Sequence, residues 1–165
     1  MSNLQDSATA LARLERLQEL GYRWDVAARE LAANGFGEPV IADGLRSKGA
    51  WKAMASSLKA EGQPYEDIVV CLQQMCAGWA DAASALLAAG VAGPDVLRTL
   101  VPVAEADQDL WSIVQVVVCQ SLDTADFREI RAVLRFFQIN ADEAITHFAG
   151  PFGTKEMAER RLGIA

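Results

Sequence analysis

Trp24, Leu31, Gly35, Ile41 and Leu45 recur with the same internal spacing as Trp51, Leu58, Gly62, Ile68 and Leu72, and again as Trp79, Leu86, Gly90, Val96 and Leu100. The unit reads W-x6-L-x3-G-x5-[IV]-x3-L and returns after 27 and then 28 residues. A period in that range marks a helical array, in which one small unit is stacked on copies of itself. A fourth, degenerate copy follows at Phe127, Leu134, Gln138, Ala144 and Phe148, with Phe for Trp and Gln for Gly. It stands 48 residues after the third copy, which leaves room for one inserted helix.

Each landmark has a physical meaning that makes the unit a pair of short helices. Trp and Leu are two helical turns apart and share one face with Ala27-Ala28, Met54-Ala55 or Ala82-Ala83, small enough to let neighbouring helices approach closely. Gly35, Gly62 and Gly90 follow helix-forming runs, where a left-handed stop residue is least costly as glycine. Pro39, Pro64 and Pro94 come next, in the turn or the first helical position, and Glu38, Glu66, Asp67 and Asp95 suit a helix N-terminus. The Ile/Val and Leu four residues apart then form the inward stripe of a second helix. Gly21, Gly49 and Gly78 stand just before the three tryptophans and are expected to punctuate the other end of each unit.

The chain has 165 residues, 52% of them hydrophobic, enough to bury one substantial core. Scarce proline, abundant alanine and glycines at helix ends predict an all-α class. Ile113–Cys119 alone has a strand-like composition, and with no partner strand it is expected to be a buried helix. The spacing predicts about eleven short helices, over 7–20, 24–34, 39–48, 51–61, 65–76, 79–89, 94–104, 108–121, 124–137, 141–149 and 154–162. Together they form a single-domain, right-handed stack of αα-hairpins, a small α-solenoid. Residues 1–21 are its N-terminal capping helix, with Leu11, Leu14, Leu17 and Leu20 on the apolar side. The repeats are 22–48, 49–76 and 77–104, followed by an inserted helix at 105–123, a degenerate repeat at 124–150 and a tail at 151–165. The inserted helix is expected to cover the third hairpin.

No run reaches the eighteen apolar residues of a membrane span, and the N-terminus is too polar for a secretory signal, so a soluble, cytoplasmic protein is expected. Cys71, Cys76 and Cys119 are odd in number and lack C-x2-C spacing. Cys71 and Cys76 point about 140° apart on a helix, which favours buried thiols over a disulfide or metal site. The single histidine, His147, has no neighbouring nucleophile in sequence, and the chain carries no G-x-S-x-G, Walker loop, H-E-x-x-H or dinucleotide fingerprint. No catalytic residue, cofactor or metal is assigned, and no enzymatic activity is expected. The tryptophans, held in register, read as inter-repeat anchors rather than a ligand cage.

Charge is the second informative feature. Residues 1–60 carry eight basic and seven acidic side chains, residues 61–126 one against ten, and residues 127–165 six against five, so the net −7 is concentrated in the middle. Such a surface repels phosphates and attracts basic partners. The expected function is therefore a protein-binding adaptor, inhibitor or regulator that engages a basic or helical protein partner, with no membrane partner. Candidate contacts are Glu66, Asp67, Asp81, Asp95, Glu105, Asp107 and Asp109.

A residue, three more, Gly, five more, then Ile/Val also resembles the helix-turn-helix core, and its most basic occurrence spans residues 21–48. The resemblance implies a DNA-binding transcriptional regulator in which Arg46, Ser47 and Lys48 face the nucleic acid. Helix-turn-helix crossings, however, use a small residue four before the Gly, where this chain has Leu17, Leu31, Leu58, Leu86 or, before Gln138, Leu134. The pattern recurs in the most acidic units too, which favours repeat packing over DNA reading.

Overall fold

The computed structural model describes residues 2–104, 106–120 and 127–140. Among them the chain is helical throughout, with no strand: α1 (Ser2–Glu19), α2 (Trp24–Ala33), α3 (Glu38–Ser47), α4 (Ala50–Ala60), α5 (Tyr65–Gln74), α6 (Trp79–Ala88), α7 (Gly93–Leu100), α8 (Asp107–Gln120) and α9 (Phe127–Phe136). A 3-10 turn, Val101–Val103, follows α7, so the helix expected over 94–104 ends at Leu100. These nine α-helices fall short of the eleven expected for the chain, and the expected helices at 141–149 and 154–162 lie outside the described residues. Ile113–Cys119 is helical, within α8, where Ile113, Val114, Val117 and Val118 are buried.

The repeat leucine sits where core and chain reversal meet. Leu31, Leu86 and Leu134 are all but fully buried, and Leu58 is only slightly less so. Their carbonyls accept the backbone N–H groups of Phe36, Gln63, Val91 and Ile139 at 2.9–3.2 Å. This is the six-to-one bond of a Schellman stop, and it requires a left-handed residue between donor and acceptor. Gly35 (φ 83°), Gly62 (φ 78°) and Gly90 (φ 78°) supply it. In the fourth copy Gln138 holds the same conformation at φ 60°, so the worn copy retains the stop without glycine.

Closing the second helices follows a different rule from the one expected. Gly21 and Gly49 are left-handed, at φ 81° and 63°, but Gly78 lies at φ −71°, ψ 168°, an extended N-cap for α6 that any residue adopts. The left-handed stop is Cys76 instead, at φ 58°, with Ala77 N–H donating to the Leu72 carbonyl at 3.0 Å. Helix α5 ends at Gln74, so its stop is needed two residues before Gly78.

Packing follows the sequence register. Ala27, Ala28, Met54, Ala55, Ala82 and Ala83 are buried where α2 meets α4 and α4 meets α6. Ile41, Ile68 and Val96, with Leu45, Leu72 and Leu100, are buried on α3, α5 and α7. Lys59, near the end of α4, donates to the Ala89 and Gly90 carbonyls at 2.9 and 2.8 Å, so α4 and α6 finish at the same end. That cation satisfies carbonyls the helix leaves unpaired. Helix α1 packs on α2 and α3, burying Ala10 and Leu14, and at Gly44 it comes close enough that a Cβ would lie 2.7 Å from Leu14 Cδ1. Helix α8 packs on α6 and α7, and α9 on α7.

Two expectations about the apolar faces are corrected. Leu20 is 58% exposed, because α1 ends at Glu19 and the chain turns at Gly21 before Leu20 can join the core stripe. Of the register tryptophans only Trp51 is buried. It is the second residue of α4 and its indole Nε1 donates to the Met75 carbonyl at 3.0 Å, whereas Trp24 and Trp79 open their helices and are half-buried against the core.

Truncating Leu31 or Leu86 to Ala is expected to cost about 2–5 kcal/mol in urea unfolding, as removal of a fully buried side chain does. Cys76→Gly is expected to raise stability by about 1 kcal/mol, since it relieves a left-handed residue that carries a Cβ. A loss below 1 kcal/mol at both leucines, or destabilisation by Cys76→Gly, would contradict these roles.

Candidate interaction surface

The seven acidic candidates do not form one cluster. Glu66 and Asp67 lie exposed in the first turn of α5. Asp95 lies in the first turn of α7, where it accepts from Arg98 at 2.7 Å. Asp81 lies in the first turn of α6, and Asp109 is half-buried in the first turn of α8. Glu105 and the side chain of Asp107 lie outside the described residues. Short turns reverse the chain between consecutive helices, so the first turns of α5 and α7 share one end of the molecule and that of α6 lies at the other.

Asp81 is a structural ion pair. Arg46, at the end of α3, donates to it through Nη2 at 3.0 Å and Nε at 3.4 Å, and to Asp43 through Nη1 at 2.8 Å. The same guanidinium lies 5.3 Å from the centroid of the Trp51 ring, a cation–π arrangement. The bonds to Asp81, foremost among these influences, raise the Arg46 pKa above its ordinary value. Arg98 is likewise held by Asp95 and, across to α9, by Glu129 at 3.0 Å, and its pKa is raised first by Glu129.

The same network consumes the residues that the helix-turn-helix resemblance would aim at DNA. Arg46 is paired as above, the Ser47 hydroxyl donates to the Gly44 carbonyl at 2.8 Å, and Lys48 is bonded to Glu15 of α1. The basic end of α3 therefore presents largely compensated charge.

Glu66 and Asp67 carry no ion pair among the described residues and flank Val70, which is 52% exposed, with Gln73 and Gln74 exposed one turn further on. The outer face of α5 is thus an acidic strip with an apolar centre. Val70 sits in an apolar run that hides its exposure, and the only sign of it in the sequence is the register, which places Asp43 and Arg98 at the equivalent positions.

Three cavities lie at other places on the surface, and the residues that line them form no catalytic grouping. One of about 230 Å³ is lined by Arg46, Gly49, Trp51, Lys52, Asp81 and Ser84, with its Arg and Asp already paired. Two lie at equivalent hairpin turns, about 230 Å³ beside Asn34, Phe36 and Val40 and about 400 Å³ beside Lys59, Gln63 and Tyr65. Among the described residues no group of three or more His, Cys, Asp or Glu could hold a metal. Burial pushes the Cys71 and Cys76 thiols above their ordinary pKa, away from the reactive thiolate. His147 lies outside the described residues. No helix among the described residues is long and apolar enough to cross a membrane. No family model, curated protein or solved structure matches the chain.

Reversing Asp81 to Lys is expected to destabilise the fold by up to about 1 kcal/mol, since Arg46 is 54% exposed and solvent screens the pair. Glu66→Lys and Asp67→Lys are expected to leave the urea midpoint nearly unchanged. Equal midpoints for all three variants would show that the Arg46 hub contributes nothing to stability.

Proposed function

We propose that this protein is a non-enzymatic interaction module, an adaptor or regulator built as a small helical stack, which captures a basic, helical protein segment on the outer face of α5. The observation that carries the reading is the pairing pattern of the acids. Asp81 and Asp95 are engaged in intramolecular ion pairs, while Glu66 and Asp67 are exposed around an exposed Val70. Rim charges of this kind accelerate encounter with an oppositely charged partner, and the apolar residue between them supplies desolvation once it has docked.

The stacked-hairpin architecture supports the same reading. Helix α4 packs on α2, α6 on α4 and α8 on α6, while α7 packs on α5 and α9 on α7, a contact pattern suited to two rows of helices. In such an array each unit buries one face and presents another, so residues at one register position line up along an extended surface. Asp43, Val70 and Arg98 occupy that equivalent outward position in α3, α5 and α7, and all three are exposed.

The test is paired affinity capture from the native host with the wild-type chain and a Glu66→Lys, Asp67→Lys variant, followed by association kinetics on what is retained. The expected outcome is a protein held by the wild type and lost from the variant, with association slowed about tenfold and a flatter salt dependence. An identical set of retained proteins on both baits would overturn this reading.

A further inference from the structure

The most exposed large apolar side chain among the described residues is Phe136, at 79% exposure, at the end of α9. It stands edge-on to Phe137, ring centroids 5.1 Å apart, and borders a groove of about 320 Å³ lined by Arg98, Ala132, Val133 and Phe136. Arg98 ties this groove to the α5 face. It occupies the register position of Val70, two residues after the repeat Ile/Val, so side-by-side packing of α5 and α7 turns the two residues to the same side. One outer surface therefore runs from Val70 on α5 across Arg98 on α7 to Phe136 on α9.

The two ends of that surface are opposite in charge. The α5 end carries the exposed acids Glu66 and Asp67, whereas the α9 end carries Arg135, exposed beside Phe136. We propose that the surface is self-complementary: α5 of one copy seats against α9 of a second copy and α9 against the second copy's α5, with the two α7 helices at the twofold axis. A twofold contact requires that what one patch offers, another patch of the same chain accepts, and an apolar centre ringed by acid facing an aromatic beside a base meets that requirement. Arg98, which meets its own counterpart near the axis, is already compensated by Asp95 and Glu129.

Magnitude fixes the character of this dimer. Three helices of this length laid side by side cover roughly 15 Å by 27 Å. That is smaller than the ~800 Å² per partner of a standard stable interface, so association is weak and concentration-dependent. The inference rests on the α5 face proposed above as the binding site and names its occupant as a second copy of this chain.

Sedimentation of the full chain from about 10 μM to about 1 mM in low salt tests it. The expected result is a monomer–dimer equilibrium that weakens as salt rises. Phe136→Ala, Arg135→Glu and the pair Glu66→Arg, Asp67→Arg should each raise the dissociation constant about tenfold with unchanged circular dichroism. An equimolar mixture of the Arg135→Glu chain and the Glu66→Arg, Asp67→Arg chain should regain association, because both contacts in the mixed dimer are again opposite in charge. A wild type that stays monomeric throughout, or a dimer indifferent to these substitutions, overturns the proposal. A monomer that still retains a cellular partner through Glu66 and Asp67 overturns self-association alone and leaves the proposed function standing.

Discussion

Everything in this fold hangs on a leucine that does two things at once. Its side chain fills the core between helices, and its carbonyl accepts the hydrogen bond that stops its own helix and turns the chain back. Coupling burial to chain reversal fixes where the second helix begins relative to the first. The pair can then be copied without a new solution for the turn. A left-handed residue four positions later is the geometric condition, met by glycine at Gly35, Gly62 and Gly90 and by Gln138 at φ 60° in the last copy.

Small residues transmit the same economy between units. Paired alanines on α2 and α6, and Met54-Ala55 on α4, let these helices pack in sequence without displacing the leucines. Lys59 then caps the end of α6 from α4, and Arg46 reaches from α3 to α6 while lying over Trp51. These long side chains tie one unit to the next through charge-assisted bonds rather than through additional core. The consequence for function is indirect. Acids drawn into those ties, Asp81 and Asp95, are compensated within the fold, while Glu66 and Asp67 stay exposed.

Exposure of Val70 and Phe136 has no role in this packing scheme. Both point into solvent, Val70 from α5 and Phe136 from the end of α9, at positions where a polar residue would leave the core unchanged. Asp43 and Arg98 occupy the equivalents of Val70 in the neighbouring units, so the register itself does not demand an apolar residue there.

Sequence periodicity by itself determined the all-helical class and the left-handed stops at Gly35, Gly62 and Gly90, because both are set by interactions within a few residues along the chain. It also marked Leu31, Leu58 and Leu86 as core, through their place on the apolar face of each helix. The strand-like run at Ile113–Cys119 is helical, as expected of a segment with no partner strand in the chain to pair with. Tertiary structure alone decided the rest. It placed the stop of α5 at Cys76 rather than at Gly78, left Leu20 in solvent and buried only Trp51 among the register tryptophans. It also separated the acids, taking Asp81 and Asp95 into ion pairs and leaving Glu66 and Asp67 exposed around Val70. Those outcomes depend on which side chains from distant helices arrive within bonding distance, and Arg46 and Asp81, thirty-five positions apart, leave no trace of their meeting in any local pattern.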